Sequence, residues 1–297
     1  MPRLFVSSRS RFWKCGALPE PRKSARQTKT RASSVLPKTV WAAAFLVLAV
    51  PALANVPAIH LIAHRALYRM TLLKARSTDI LGATGEMGYE VIDACDGWAV
   101  RQRMNMRIAN AEGQTINMIS DYATWESKDG LRFRFHMKQT TDEAVTAQTD
   151  GDARLERPGG PGVAHYTVPR KMDQPLPPGT LFPMAHTARL MQKAELGDRH
   201  FTLPLFDGTD DTGGELSSIV VTDLSPPMKM PWPALSALPS AVVNIAFFAL
   251  ASHDMLPDYD TSMRYWTNGV ADNIRMDFGD FVMKAKLIDF APQPRKC

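Results

Sequence analysis

From residue 64 onward apolar and polar residues alternate with a period of two, the repeat of a strand with one buried face. "YRMTLLKA" from Tyr68, "GEMGYEVIDAC" from Gly85 and "GWAVRQRMNMRIA" from Gly97 follow one another with short turn signals such as Asp96-Gly97 between them. "INMISDYATWESKDGLRFRFHMKQ" predicts two strands around an Asp129-Gly130 turn, and "EAVTAQTDGDARLE" and "AHYTVP" continue the series. "LPPGTLFPMAHTARLMQKAELGD" interrupts it: prolines can open a helix, Ala185, Ala188, Met191 and Ala194 recur at helical spacing, and Gly197 ends it. "HFTLPLFDGTDD", "GELSSIVVTDL", "DTSMRYWTNG", "VADNIRMDFGD" and "FVMKAKLIDFA" then return to short alternating runs. "SAVVNIAFFALA" is apolar enough for a buried helix or a buried strand, and periodicity alone does not choose. The pattern predicts a mainly β protein: one highly curved antiparallel sheet, a spiral or half-barrel, with a single helix among its strands. So many strands in one sheet must curl to bury a face.

The N-terminus does not fit this pattern. Residues 1–40 are polar and basic and run into "VWAAAFLVLAVPALA", Val40 to Ala54. That run is too short to span a bilayer and matches the hydrophobic region of a signal peptide. Ala52 and Ala54 stand at the small-residue positions of a cleavage site, which places the cut between Ala54 and Asn55. The expected organisation is a basic leader and signal peptide over 1–54 and a single β-spiral domain over 55–297, located in the periplasm. The leader is long for such a signal, so a true start near Val35 is expected. An uncleaved anchor is the alternative, and both readings put the domain outside the cytoplasm. Residues 1–54 hold ten of the 35 Lys and Arg but a single acid, Glu20, of the 30 Asp and Glu, leaving 25 bases against 29 acids. The basic isoelectric point belongs to the leader, and nucleic acid is not an expected partner.

Removal of the leader takes Cys15 with it and leaves Cys95 and Cys297. An even pair in an oxidising compartment reads as a disulfide between them, with a structural bond the expectation and a redox switch the alternative. Closing so long a loop is worth up to roughly 5 kcal/mol in the chain-entropy account. Signatures of catalysis are absent: there is no G-x-S-x-G, no P-loop, no H-E-x-x-H and no dinucleotide fingerprint. His60 and His64 are spaced i, i+4 beside the cleavage site, but no metal or cofactor is expected. His186, Asp207 and His253 are the candidates for a hydrolase acting on envelope material, whereas Asp210-Asp211 and Asp258/Asp260 read as turn residues. Trp98, Phe133, Phe135, Phe206 and Trp266 are candidates to line a concave apolar face; the alternative is that they fill the core. Sixteen methionines suit either role.

"HRALYRMTL", "GEMGYEVIDACDGWAV", "LPPGTLFPMAH", "FDGTDD", "PDYDTSMRYWTNGV" and "DFGDFVMKAKL" before a C-terminal cysteine together resemble the envelope integrity protein EipB family, from about His64 to Cys297. The resemblance implies a periplasmic β-spiral around a helix, a disulfide at the places of Cys95 and Cys297, and a role in envelope integrity and stress resistance. It brings no catalytic residue. Arg65, Tyr68, Asp207, Gly208, Asn268 and Gly269 look signature-like, yet Asp-Gly and Asn-Gly are turn dipeptides first. The expected function is a non-enzymatic envelope-maintenance factor that presents its concave face to a lipid-like or lipopeptide ligand. The alternatives are a scaffold for a periplasmic protein partner, bound through a sheet edge or its surface, and the hydrolase above.

Overall fold

The computed structural model describes residues 59–250 and 256–294. Eight strands precede the long helix: β1 (His64–Ala75), β2 (Ile80–Asp93), β3 (Gly97–Asn110), β4 (Thr115–Ser127), β5 (Arg132–Thr141), β6 (Ala144–Leu155), β7 (Gly162–Val168) and β8 (Met172–Leu176). Helix α1 (Pro183–Glu195) follows, then β9 (His200–Leu205), β10 (Glu215–Ser225), a one-turn helix α2 (Pro233–Ser236), β11 (Ser240–Ala249), β12 (Tyr259–Trp266), β13 (Ala271–Asp277) and β14 (Phe281–Pro292). The ambiguous "SAVVNIAFFALA" is strand β11, and α2 and the short β8 are elements that the alternation did not announce.

All fourteen strands belong to one antiparallel sheet, in the order β8-β7-β6-β5-β4-β3-β2-β1-β14-β13-β12-β11-β10-β9. Two meanders are thus fused where the first strand pairs with the last, with Tyr68 opposite Leu287 and Met70 opposite Ala285. The Tyr68 hydroxyl, fully buried, reaches across the intervening strand to donate to the Ala271 carbonyl on β13 at 2.8 Å. β8 and β9, which flank α1 in sequence, become the two edges, and the sheet does not close on itself.

Both edge strands carry a proline, Pro175 in β8 and Pro204 in β9, which removes a donor where another chain could add. The β9 edge is also occupied by the segment that leads into α1. Leu181 donates to Pro204 O and accepts from Phe206 N, each at 3.0 Å. Helix α1 lies within the curve, since its residues bond to strands of both arms: Met184 and Ala185 to Glu126 on β4, and His186 to Ser217 on β10. Its prolyl start and the glycine after it, Gly197 at φ +91, set its ends as the sequence implied.

Inward residues form two main packed clusters. The larger surrounds Leu190, Met191 and Ala194 of α1 and includes nine methionines, among them Met70, Met87, Met104 and Met106. The smaller is aromatic: Phe133 stacks on Phe182 at 4.9 Å, and Phe206 meets Phe135 edge-on at 5.5 Å. Burial at ~25 cal/mol per Å² makes these clusters the main favourable term in folding. The Tyr68 bridge contributes on a smaller scale: Tyr68→Phe leaves a buried carbonyl short of a donor. It is expected to lower unfolding free energy by about 1–2 kcal/mol in urea titrations with an unchanged m-value.

Candidate functional site

The loop between β9 and β10, residues 206–214, crosses the inner face of the first meander. Its main-chain carbonyls accept hydrogen bonds from four strands in turn. Tyr122 of β4 donates to Asp207 O, Thr149 of β6 to Gly208 O, Tyr166 of β7 to Asp210 O at 2.9 Å, and Gln174 of β8 to Asp211 O at 3.3 Å. β5 contributes the Phe135 ring, which lies against Gly208. A Cβ at Gly208 would stand 2.3 Å from that ring, and the residue adopts φ +71, so only glycine fits. The local sequence explains the loop's shape, because "DGTDDT" is an Asp-x-Thr unit used twice. Asp207 Oδ1 accepts from the Thr209 amide and hydroxyl at 2.9 and 2.8 Å, and Asp210 Oδ1 does the same for Thr212. The Asp207 carboxylate, a hydrolase candidate, is thereby committed to a turn.

The N-cap position of α1 is Phe182, whose side chain cannot cap the helix. Glu126, buried on β4, supplies the cap from another element: Oε2 accepts from Met184 N at 2.7 Å and Oε1 from Ala185 N at 2.8 Å. Burial pushes this carboxyl up to about 7, against the two amide bonds that favour the charge. One turn further, the Ser217 hydroxyl donates to Leu203 O at 2.7 Å, which leaves His186 Nε2, 2.7 Å from Ser217 Oγ, as the donor to that oxygen. Burial drives His186 down to about 3, so the imidazole is neutral. This proton order is the reverse of a serine activated by a histidine base, where the serine hydroxyl donates to the imidazole. His253, the third hydrolase candidate, lies outside the described residues.

Above these anchors the inner face carries polar atoms without partners. Both side-chain amide atoms of Gln102 on β3 and the hydroxyl of Ser120 on β4 are buried and find no hydrogen-bond partner among the described residues. They sit on one face beside Met104, which is paired with Ser120, and Tyr122, which is paired with Gln102. Narrow interior spaces lie beside α1. One of about 20 Å³ is lined by His64, Tyr68, Tyr89 and Met184, and one of about 10 Å³ by His186, Asp207 and Phe247. Each has room for about one water.

Of the candidate lining residues, Phe133, Phe135 and Phe206 meet in the aromatic cluster and pack against one another. Trp266 is fully buried in the larger cluster. Trp98 sits half-buried at the rim with the Lys128 ammonium 3.1 Å from its ring centroid. Cys95 occupies the turn between β2 and β3 at φ 69, its amide bonded to Asp93; Cys297, Ala54 and Asn55 lie outside the described residues. Among the described residues no group of three His, Cys, Asp or Glu could hold a metal, and no helix is long and apolar enough to cross a membrane. Sequence reasoning missed Tyr122, Glu126, Thr149 and Gln102. The signal was present: each is a polar residue at an inward-phase position of an alternating strand.

Two measurements check this geometry. Gly208→Ala is expected to cost roughly 2–4 kcal/mol from the positive φ and the ring clash together, and Tyr122→Phe or Tyr166→Phe about 1–2 kcal/mol each, all read by chemical denaturation. Because Glu126 is raised in the fold above its unfolded value near 4.5, its contribution is fully present below pH 4.5 and fades as pH rises through 7. His64 and His186 are lowered and oppose it in the total profile. The stability difference between wild type and Glu126→Gln is therefore the readout: it shifts by an amount on the order of 3 kcal/mol between pH 4.5 and 7 and is flat above.

Comparison with known proteins matches this arrangement to others. The EipB-like family model matches residues 55–294. The cell envelope integrity protein EipB of Brucella abortus (strain 2308) is 30% identical over 247 residues, which cover 78% of this chain and 84% of that protein. A crystal structure from Brucella abortus, described as a beta-barrel-like protein of domain of unknown function DUF1849, superposes with a TM-score of 0.72 at 30% identity, covering 80% of this chain and all of that one. The chain belongs to the EipB-like family.

Proposed function

We propose that this chain is a periplasmic, non-catalytic envelope-integrity factor that takes a lipid-like or lipopeptide ligand inside its curved sheet, α1 and the 206–214 loop moving aside to admit it. Kinship with a cell envelope integrity protein supports the envelope role. The observation that carries the binding role is the inner face of β3 and β4. There the unpartnered Gln102 amide and Ser120 hydroxyl stand among deformable methionines, under a closure made of side-chain bonds rather than a strand ladder. Unmet buried polar groups cost about 1–3 kcal/mol each, which a ligand's polar group would recover while its chain occupied the methionine bed. The aromatic cluster serves in this reading as the packed floor beneath the loop.

Export is part of the proposal, with cleavage after Ala54 and a Cys95–Cys297 disulfide that ties the chain's end to the β2–β3 turn. A protein partner remains the second reading, but the prolines on both edges and the Leu181 bridge direct it to the outer surface rather than to strand addition. For hydrolysis the described residues offer only a buried Ser217 whose proton already serves Leu203 O.

Native mass spectrometry of the protein purified from its own envelope is expected to show an added mass removable by organic solvent. Gln102→Leu combined with Ser120→Ala should lose it while remaining folded. Wild type at the bare polypeptide mass would overturn the carrier reading. The denatured mass is expected to start at Asn55 and to lie two hydrogens below the reduced form. Ser217→Ala is expected still to complement a deletion strain; failure of a folded variant would favour the hydrolase.

A further inference from the structure

The outward face of β14 and β1–β5 concentrates basic side chains. Lys286 stands directly opposite Arg69, and Lys284 opposite Thr71; β3 turns Arg101, Arg103 and Arg107 outward, and β5 Arg132, Arg134 and Lys138. Among the described residues Arg69, Arg101, Arg107, Lys138, Lys284 and Lys286 have no ion-pair partner. The acids on this face are Glu86, Glu90, Asp121 and Asp289, with Asp142 and Glu143 of the β5–β6 turn at the border of the larger groove, and of these Glu90 and Asp121 pair with Arg65 and Arg103. Cross-strand neighbours here are mixed: Lys286 faces Arg69 from one side and Glu86 faces it from the other, while Glu90 faces Arg101 and Asp121 faces Lys138. Bases nevertheless outnumber acids on this face, whereas residues 55–297 as a whole hold more acids than bases.

We propose that this face docks the protein on an anionic phospholipid surface. The patch crosses six adjacent strands, about 25 Å at ~4.8 Å per strand, the extent of a surface rather than of a ligand pocket. Two shallow grooves run between the bases, about 580 Å³ beside Arg65 and Arg101 and about 1010 Å³ beside Arg69 and Arg107. They meet at Arg103 and offer room for headgroups. At one end Trp125 lies half-buried with the guanidinium groups of Arg132 and Arg134 5.5 and 5.6 Å from its ring, and Leu67 and Ile119 lie between the charges. Tryptophan beside arginine with scattered apolar side chains is the composition of a membrane-interface contact, which favours lipid over an acidic polymer. The proposal is independent of the interior ligand.

Cosedimentation tests it with the purified protein and vesicles of equal parts phosphatidylglycerol and phosphatidylcholine, against vesicles of phosphatidylcholine alone. Binding is expected only to the anionic vesicles and to weaken with added salt. The variant Arg69→Gln/Lys284→Gln/Lys286→Gln should bind about 100-fold more weakly, roughly fivefold per base, with an unchanged melting temperature. Its native mass should still include the interior ligand, which separates the two proposals. No binding by wild type, equal binding to both vesicles, or an unaffected variant would overturn the proposal. So would binding to soluble polygalacturonate without binding to vesicles, which would assign the face to an acidic glycan.

Discussion

Side-chain hydroxyls and an amide hold this spiral shut. A fourteen-stranded sheet whose edges are β8 and β9 has no ladder to join them, yet the inner face of β4–β8 must be covered. The covering is the 206–214 loop, and its peptide carbonyls would be buried without partners were it not for Tyr122, Thr149, Tyr166 and Gln174. Each bond contributes a net ~1 kcal/mol, but each one left unmade costs more, so the set is cooperative in effect. The glycine at 208, the aromatic cluster beneath it and the seating of Leu181 on β9 all depend on the loop lying at this depth.

Helix α1 is tied to the same closure. Glu126 lies four residues after Tyr122 on the same face of β4, so one strand holds both the loop and the start of the helix. A carboxyl poised near neutrality at the helix start, and a neutral His186 passing a hydrogen bond through Ser217 to Leu203, anchor α1 to opposite arms of the sheet. These contacts can break without breaking any strand pairing. The sheet can therefore stay intact while the interior opens, as the proposed uptake of a ligand requires.

Most of the fold was legible because alternation is a local signal. Strands such as "GWAVRQRMNMRIA" and the helix between Pro183 and Gly197 are written in consecutive residues. "SAVVNIAFFALA" needed the neighbours on both sides, β10 and β12, to settle it as a strand. The pairing of β1 with β14 joins residues more than two hundred positions apart and leaves no local mark. "FDGTDD" stood out as a turn, but that its carbonyls rather than its carboxylates would carry the long-range bonds is a fact of tertiary placement. Gln102, Ser120, Tyr122, Glu126 and Thr149 were readable only as exceptions, polar residues in the buried phase. The functional weight in the sequence reading fell instead on Phe133, Phe135 and Phe206, which pack against one another.

Amide hydrogen exchange in the native protein tests the central claim most directly, by comparing the Thr209 amide in the loop, the Met184 and Ala185 amides at the start of α1, and those of β1 and β14. If loop and helix form one closure, the three will exchange with a common opening free energy, below that of the β1–β14 seam, and Tyr122→Phe will accelerate all three together. Independent rates for Thr209 and the α1 amides, or an effect of Tyr122→Phe confined to the loop, would contradict the account.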